Sequence, residues 1–125
     1  MVVVPPPVRE AIAAHAREEK PHESCGLLLL DGDTAVRYVR AVNKAASPYR
    51  FDLFLDPVEW ADINDTELEQ AVVHSHISAP PRPSRTDVEN VGLWQGRPYL
   101  IYSVASDELA AWAIEGGSIA PLELA

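Results

Sequence analysis

The chain has 125 residues, of which 47% are apolar, and it carries a formal net charge of −9. This size and composition predict one domain over residues 1–125 with a buried core, and the acidic balance disfavours binding to nucleic acid or to an anionic membrane. Cys25 is the only cysteine and the apolar N-terminal run is too short for a signal peptide or a membrane span, so we expect a cytoplasmic protein.

The first half of the chain predicts one helix followed by three strands. Pro5 to Pro7 suit the first turn of a helix, which should run to about Arg17 before Lys20-Pro21 ends it. Asp31-Gly32 has the composition of a tight hairpin turn after the first strand. The three strand candidates are residues 26–30, 34–42 and 49–54.

The second half of the chain predicts helices that alternate with strands. Asp56 has the character of a helix cap, and Pro57 suits the first helical position after it. The elements predicted here are a helix over about 58–63, a buried strand over 70–75, a helix over 86–94, a hairpin of 99–105 with 108–114, and an edge strand in the last eight residues. This order predicts an α/β fold, in which flanking helices pack on a single mixed, curved β-sheet.

Residues 74–87, HSHISAPPRPSRTD, contain the strongest indication of function. Side chains alternate along a strand, so His74 and His76 should point the same way at the strand end. Two converging imidazoles suit Zn²⁺, and catalytic zinc commonly has three protein ligands and a water. The third ligand should be a carboxylate or an imidazole, and Asp87 lies in the first turn of the next predicted helix, where it can fold back over the strand end.

Each of these features also has a purely structural interpretation. The two histidines are compatible with a polar strand end whose hydrogen bonds are satisfied, and Ser84 with Asp87 is the pattern of a capping box. Cys25 is most simply a small buried residue, and a zinc ligand or a nucleophile is the less favoured interpretation. His15 and His22 have no partner at ligand spacing, so we expect both at the surface or at an edge.

The combined pattern resembles the JAMM, or MPN+, zinc metalloproteases over nearly the whole chain, and most of all their minimal bacterial and archaeal members. The matching residues are His74-Ser75-His76, then seven residues, Ser84 and Asp87, with Pro21-His22-Glu23-Ser24-Cys25-Gly26 about fifty residues upstream. One departure is Ile77, where the family usually has proline. We expect it to change the loop path or the substrate groove.

The resemblance implies a role for each residue of the motif. It implies a JAMM/MPN fold similar to that of the cytidine deaminases, with Zn²⁺ held by His74, His76 and Asp87. Glu23 would be the general base and acid, which would make a merely solvated glutamate the less favoured interpretation of this position. Ser84 would donate a hydrogen bond to the developing oxyanion.

The activity implied by the resemblance is that of a zinc-dependent peptidase or isopeptidase. It would hydrolyse an amide bond after the C-terminal tail of a small ubiquitin-like or sulfur-carrier protein. One alternative is a non-catalytic MPN-type protein-binding module, which would take up no zinc. A zinc deaminase is disfavoured, because its signature needs a cysteine pair that this chain lacks. The sequence leaves the oligomeric state open.

Overall fold

A mixed six-stranded β-sheet is the main feature of the computed structural model, which describes residues 1–45 and 50–125. The described strands are β1 (Cys25–Asp31), β2 (Thr34–Arg40), β3 (Val42–Asn43), β4 (Leu53–Phe54), β5 (Glu69–His76), β6 (Pro98–Ser103), β7 (Glu108–Glu115) and β8 (Ser118–Leu122). The described helices are α1 (Pro6–Glu19), α2 (Pro57–Asp65), α3 (Arg85–Glu89) and a 3₁₀-helix (Gly92–Trp94). No helix among these residues is long and apolar enough to cross a membrane.

The strands of the main sheet lie in the order β2-β1-β5-β6-β7-β8, and β3 pairs with β4 in a separate small sheet. The β5–β6 pair is parallel, and the other pairs of the main sheet are antiparallel. The prediction of an α/β fold with one mixed sheet and flanking helices is therefore confirmed.

Both faces of the sheet are covered, which explains the continuous leucine run of β1. On one face, Ile12 and Ala16 of α1 pack with Leu28 of β1 in one apolar cluster. On the other face, Leu27 of β1 packs with Ile63 of α2 in a second cluster. Alternate side chains of β1 thus pack on opposite faces of the sheet.

Three element predictions are wrong in their extent. The helix predicted over 86–94 ends at Glu89, and a separate 3₁₀-helix begins at Gly92, whose φ of +53° does not continue an α-helix. The strand predicted over 34–42 ends at Arg40, and Val42 begins β3. Of the strand predicted over 49–54, Tyr49 lies outside the described residues and only Leu53–Phe54 is strand.

The placement of His15 at the surface is also wrong. This residue is buried in α1, and its Nδ1 atom lies 2.6 Å from the hydroxyl oxygen of Tyr38 on β2. It lies three positions after Ile12, so the helical period carries it to the same inner face. His22, in contrast, is exposed as expected.

We predict that Gly26→Ala destabilises the fold. A Cβ atom at this position would lie 2.6 Å from ring carbons of Tyr38 and still closer to the carbonyl oxygen of Val39, which cannot move without breaking the β1–β2 pairing. Overpacking of this kind costs about 1–3 kcal/mol of unfolding free energy, measurable by urea denaturation.

Gly32→Asn is the matched control for this prediction. Nothing lies within 4 Å of a Cβ at Gly32, whose φ is +60°, and asparagine tolerates that conformation better than most residues. A Gly26→Ala protein as stable as the Gly32→Asn protein would contradict the close approach of β1 and β2.

Candidate metal centre

The pairing of β1 with β5 brings the two parts of the motif together. Cys25 at the start of β1 is in register with His74 near the end of β5. The pairing continues one step further, because the Ser24 amide donates to Ser75 Oγ at 2.8 Å and the Ser75 amide donates to the Ser24 carbonyl at 3.0 Å. Glu23, the next residue back along the chain, therefore lies beside the two histidines.

His74, His76 and Asp87 are brought together by the fold, and all three are buried. One possible ligand atom from each lies within 4.8 Å of the other two. His74 Nε2 is 3.2 Å from Asp87 Oδ1, and His76 Nε2 is 3.0 Å from Asp87 Oδ2. A tetrahedral metal with bonds of about 2.0–2.1 Å separates its ligand atoms by roughly 3.3 Å. These three residues could therefore hold a metal ion.

Asp87 is oriented by the N-terminus of α3. The Ser84 amide donates to Asp87 Oδ2 at 2.9 Å, and the Asp87 amide donates to Ser84 Oγ at 3.1 Å, which together form a capping box. The capping interpretation of the sequence is thus confirmed, and the same bonds turn the carboxylate toward the histidines. The two interpretations of Ser84 and Asp87 are compatible.

Three buried polar atoms at this centre have no hydrogen-bond partner among the described residues: Glu23 Oε1, His74 Nδ1 and His74 Nε2. His74 Nε2 is close to Asp87 Oδ1 and lies 3.9 Å from Glu23 Oε1, but neither contact is a hydrogen bond. Buried polar groups without partners are costly and rare. Imidazole nitrogens and carboxylate oxygens that converge in this way fit a divalent cation such as zinc.

The orientation of each imidazole is set by its own surroundings. His76 Nδ1 lies 2.9 Å from the Pro80 carbonyl oxygen. A carbonyl can only accept, so Nδ1 carries the proton and donates it. His74 stacks on Phe51 with ring centroids 4.6 Å apart and meets the edge of Tyr99 at 5.3 Å. Sequence reasoning did not identify Phe51 or Tyr99, because neither belongs to a local ligand pattern.

Burial and mutual contact shift the pKa values of the ionisable groups at this centre in different directions. Burial raises the pKa of Glu23 to about 8; the Asp87 charge adds to this shift and His76 opposes it. Burial lowers the pKa of His74. For Asp87, burial alone would raise the pKa. The two imidazoles and the Ser84 amide outweigh this effect and hold the pKa well below its usual range. For His76, burial alone would lower the pKa, but Asp87 and the Pro80 carbonyl outweigh this effect and raise the pKa.

A cleft of about 360 Å³ opens beside this centre. Its walls are formed by Pro21, Glu23, His76, Ile77, Ser78, Ala79, Ser84 and Thr86. A larger hollow of about 560 Å³ lies at the opposite end of β5 and β6 and contains none of the predicted site residues. Of these two cavities, only the smaller cleft is lined by predicted site residues, namely Glu23, His76 and Ser84.

Cys25 is fully buried, and burial raises the pKa of its thiol to about 12. A thiol with such a pKa stays protonated at neutral pH, so it is a poor nucleophile and a poor metal ligand. The prediction that Cys25 is a small buried residue agrees with this environment.

Known proteins similar to this chain include peptidases and a zinc-site protein. The CysO-cysteine peptidases of Mycobacterium tuberculosis and Mycobacterium bovis are 36% identical to it over 84 residues, which are 63% of this chain and 58% of theirs. The chain thus spans less than two thirds of the length of these curated relatives.

Two solved structures share the fold. A solution structure of a protein from Desulfitobacterium hafniense has a TM-score of 0.83 and 28% identity, covering 100% of this chain and 92% of that one. A structure described as a JAMM metalloprotease-like zinc site in the proteasome and signalosome has a TM-score of 0.60 and 20% identity, covering 100% and 97%. The second likeness shows the fold alone.

The family of prokaryotic homologs of the JAB domain matches residues 5–115 of this chain. The match includes both parts of the motif and every strand of the main sheet except β8. It confirms the JAMM/MPN resemblance read from the sequence, and the chain belongs to this family.

Proposed function

We propose that residues 1–125 form one JAMM/MPN+ domain that acts as a zinc-dependent peptidase or isopeptidase. The observation that carries the proposal is the convergence of His74, His76 and Asp87, with the unpaired Glu23 Oε1 3.9 Å from His74 Nε2. The bond cleaved is an amide that follows the C-terminal tail of a small ubiquitin-like or sulfur-carrier protein. A reducing cytoplasm suits a chain whose single cysteine cannot form an internal disulfide.

His74, His76 and Asp87 would hold the zinc ion. When bound, zinc would provide a water of lowered pKa and would polarise the carbonyl group of the substrate. His74 and His76 would present imidazole nitrogens from one face of β5, and Asp87 would contribute a negative charge that offsets part of the positive charge of the cation.

Glu23 is the general base and acid of this proposal. Its Oε1 atom is close to the ligand cluster without being part of it, and no described residue donates a hydrogen bond to it. A carboxylate in this position can take a proton from the attacking water and deliver it to the leaving amine. The raised pKa of Glu23 supports the second half of that cycle, because a carboxylate of higher pKa is a stronger base and holds the proton until the amine takes it.

Ser84 stabilises the developing oxyanion. Its oxygen accepts the Asp87 amide hydrogen, which uses a lone pair and leaves the hydroxyl hydrogen free to donate. Ser84 also lines the cleft, so that hydrogen can be directed at a substrate carbonyl oxygen. The capping hydrogen bond fixes the position of Ser84, and it does not use the hydroxyl hydrogen that would be donated to the substrate.

The substrate assignment is supported by the mycobacterial relatives, which are CysO-cysteine peptidases. Candidate leaving groups are a cysteine, a lysine side chain or a peptide extension on the carrier protein. Pro21, Ile77 and Ala79 give the cleft an apolar wall, which suits the uncharged part of any of these groups. Ile77 therefore lies where its difference from the usual proline would affect specificity.

We expect the purified protein to bind about one zinc ion per chain, measured by elemental analysis and chelator competition. His76→Ala should weaken binding by more than the roughly 10–100-fold typical of losing an outer partner, because it removes a ligand. His22→Ala is the control, since His22 is exposed and should leave the affinity unchanged. Failure of the wild-type chain to take up zinc would instead favour a non-catalytic protein-binding module.

Glu23→Gln should retain zinc and lower the cleavage rate by about 10²–10⁴-fold, because the amide cannot accept and return a proton. Cleavage is measured by intact mass on a sulfur-carrier protein with a C-terminal cysteine adduct. Glu19→Gln at the exposed end of α1 serves as the control and should cleave at the wild-type rate. A fully active Glu23→Gln protein would remove this residue from the mechanism.

Ser84→Ala should lower kcat by about 10²–10³-fold while zinc remains bound, which is the usual cost of losing one oxyanion donor. The same change removes a helix cap worth about 1 kcal/mol. Ser84→Gly loses the hydroxyl but costs only a few tenths of a kcal/mol as a cap. Both variants should therefore be equally slow but differ in thermal stability, and near-wild-type cleavage by Ser84→Gly would disprove the donor role.

A further inference from the structure

Three consecutive carbonyl groups in the loop after β5 each accept a hydrogen bond from the side chain of a different strand. The donor and acceptor pairs are Ser103 Oγ with Ala79 O at 2.9 Å, His76 Nδ1 with Pro80 O at 2.9 Å, and Trp112 Nε1 with Pro81 O at 2.8 Å. The middle donor belongs to the candidate metal centre. The outer two donors have no part in the chemistry proposed above.

The sheet register explains how three strands reach one loop. His76 on β5 is paired directly with Ser103 on β6, so their side chains emerge on the same face. Trp112 on β7 is paired with Tyr99 on β6, four residues before Ser103 and therefore also on that face. The long indole of Trp112 spans the remaining distance to the loop.

The loop contains few donors of its own to replace these bonds. Pro80, Pro81 and Pro83 have no amide hydrogen. Among the described residues the loop has one internal backbone bond, from the Arg82 amide to the Pro80 carbonyl at 2.8 Å. Further backbone bonds tie the two ends of the loop, where the Ala105 amide donates to the Ile77 carbonyl and the Val88 amide donates to the Ser84 carbonyl. Beside the Arg82 amide, which donates to it directly, the Pro80 carbonyl is held in position by the side chains that bind the carbonyls of its two neighbours.

We propose that Ser103 and Trp112 are positioning residues for the metal centre, which hold the carbonyls on either side of Pro80 so that Pro80 O fixes the orientation of His76. The inference rests on the proposed metal site. With Nδ1 donating to Pro80 O, the imidazole cannot rotate about χ2 without losing this bond, and Nε2 stays directed at Asp87. Partners of this kind set the tautomer and the direction of a histidine ligand.

Neither residue is a candidate ligand or a residue of the cleft lining, although Ser103 is paired with His76 along the sheet and donates to Ala79 in the cleft wall. We expect their effect on the His76 imidazole to pass through the loop backbone, because their side chains donate to the carbonyls on either side of Pro80 O. Loss of either donor frees one neighbouring carbonyl, and the Pro80 carbonyl then samples positions in which the hydrogen bond to His76 is longer or bent. The expected consequence is weaker zinc binding with an intact ligand set.

The test uses Ser103→Ala, Trp112→Phe and the double variant of the full chain. Trp112→Phe keeps an aromatic ring beside Arg82, whose guanidinium carbon lies 5.4 Å from the Trp112 ring centroid, and removes the N–H donor together with part of the indole. Zinc affinity is measured by chelator competition, and we expect about a 10-fold loss for each single variant. Exchange of the His76 Nδ1 proton with solvent, measured by NMR on the zinc-loaded protein, should become faster in both.

Trp60→Phe is the matched control, because Trp60 on α2 packs against the second apolar cluster and is not one of the three loop donors. It should change thermal stability without changing zinc affinity or proton exchange. If Ser103→Ala fails to fold, the partly exposed Trp112 site decides the question by itself. Unchanged affinity and exchange in folded Trp112→Phe would overturn the inference, whereas absence of zinc binding by the wild-type chain would overturn the proposed function instead.

Discussion

The antiparallel register between β1 and β5 is the constraint on which the candidate site depends. It aligns Cys25 with His74 and so places Glu23, which precedes β1, beside the imidazoles at the end of β5. A slip of one residue would turn both histidines into the opposite layer, among the apolar side chains that pack on α1. The Ser24 and Ser75 hydrogen bonds continue the pairing beyond the strand and keep Glu23 at the centre.

The geometry at Asp87 shows one set of bonds that serves both structure and chemistry. The capping box satisfies amide groups at the start of α3 and at the same time turns the carboxylate toward the two histidines. The N-terminal end of a helix also favours a negative charge. A very short helix can therefore hold the Asp87 carboxylate firmly, because the side chains of Ser84 and Asp87 bind the amides at the two ends of its first turn.

Most of the fold could be predicted from local patterns, and the exceptions have physical causes. The leucine run of β1, the proline starts of α1 and α2 and the hairpin of β6 and β7 follow from propensities that do not depend on distant residues. The apolar spacing after Asp87 indicated a helix to residue 94, but Gly92 adopts a positive φ and the chain turns there instead. His15 was misplaced because no ligand partner was visible in sequence, although its spacing from Ile12 already indicated the inner face of α1.

The sequence by itself determined which residues could form a metal site, since the alternation along β5 and the spacing to Ser84 and Asp87 are short-range properties. Only the tertiary structure decided that these groups meet. The distances from His74 and His76 to Asp87, the burial of Glu23 and the stacking of Phe51 on His74 all depend on chain segments that are far apart in sequence. The hydrogen bonds to the loop carbonyls also depend on distant segments. Ser103 and Trp112 reach two of these carbonyls only through the pairing of β5, β6 and β7. Contacts of this kind leave no periodic trace in a sequence, since they are fixed by strand register and by the backbone of a loop.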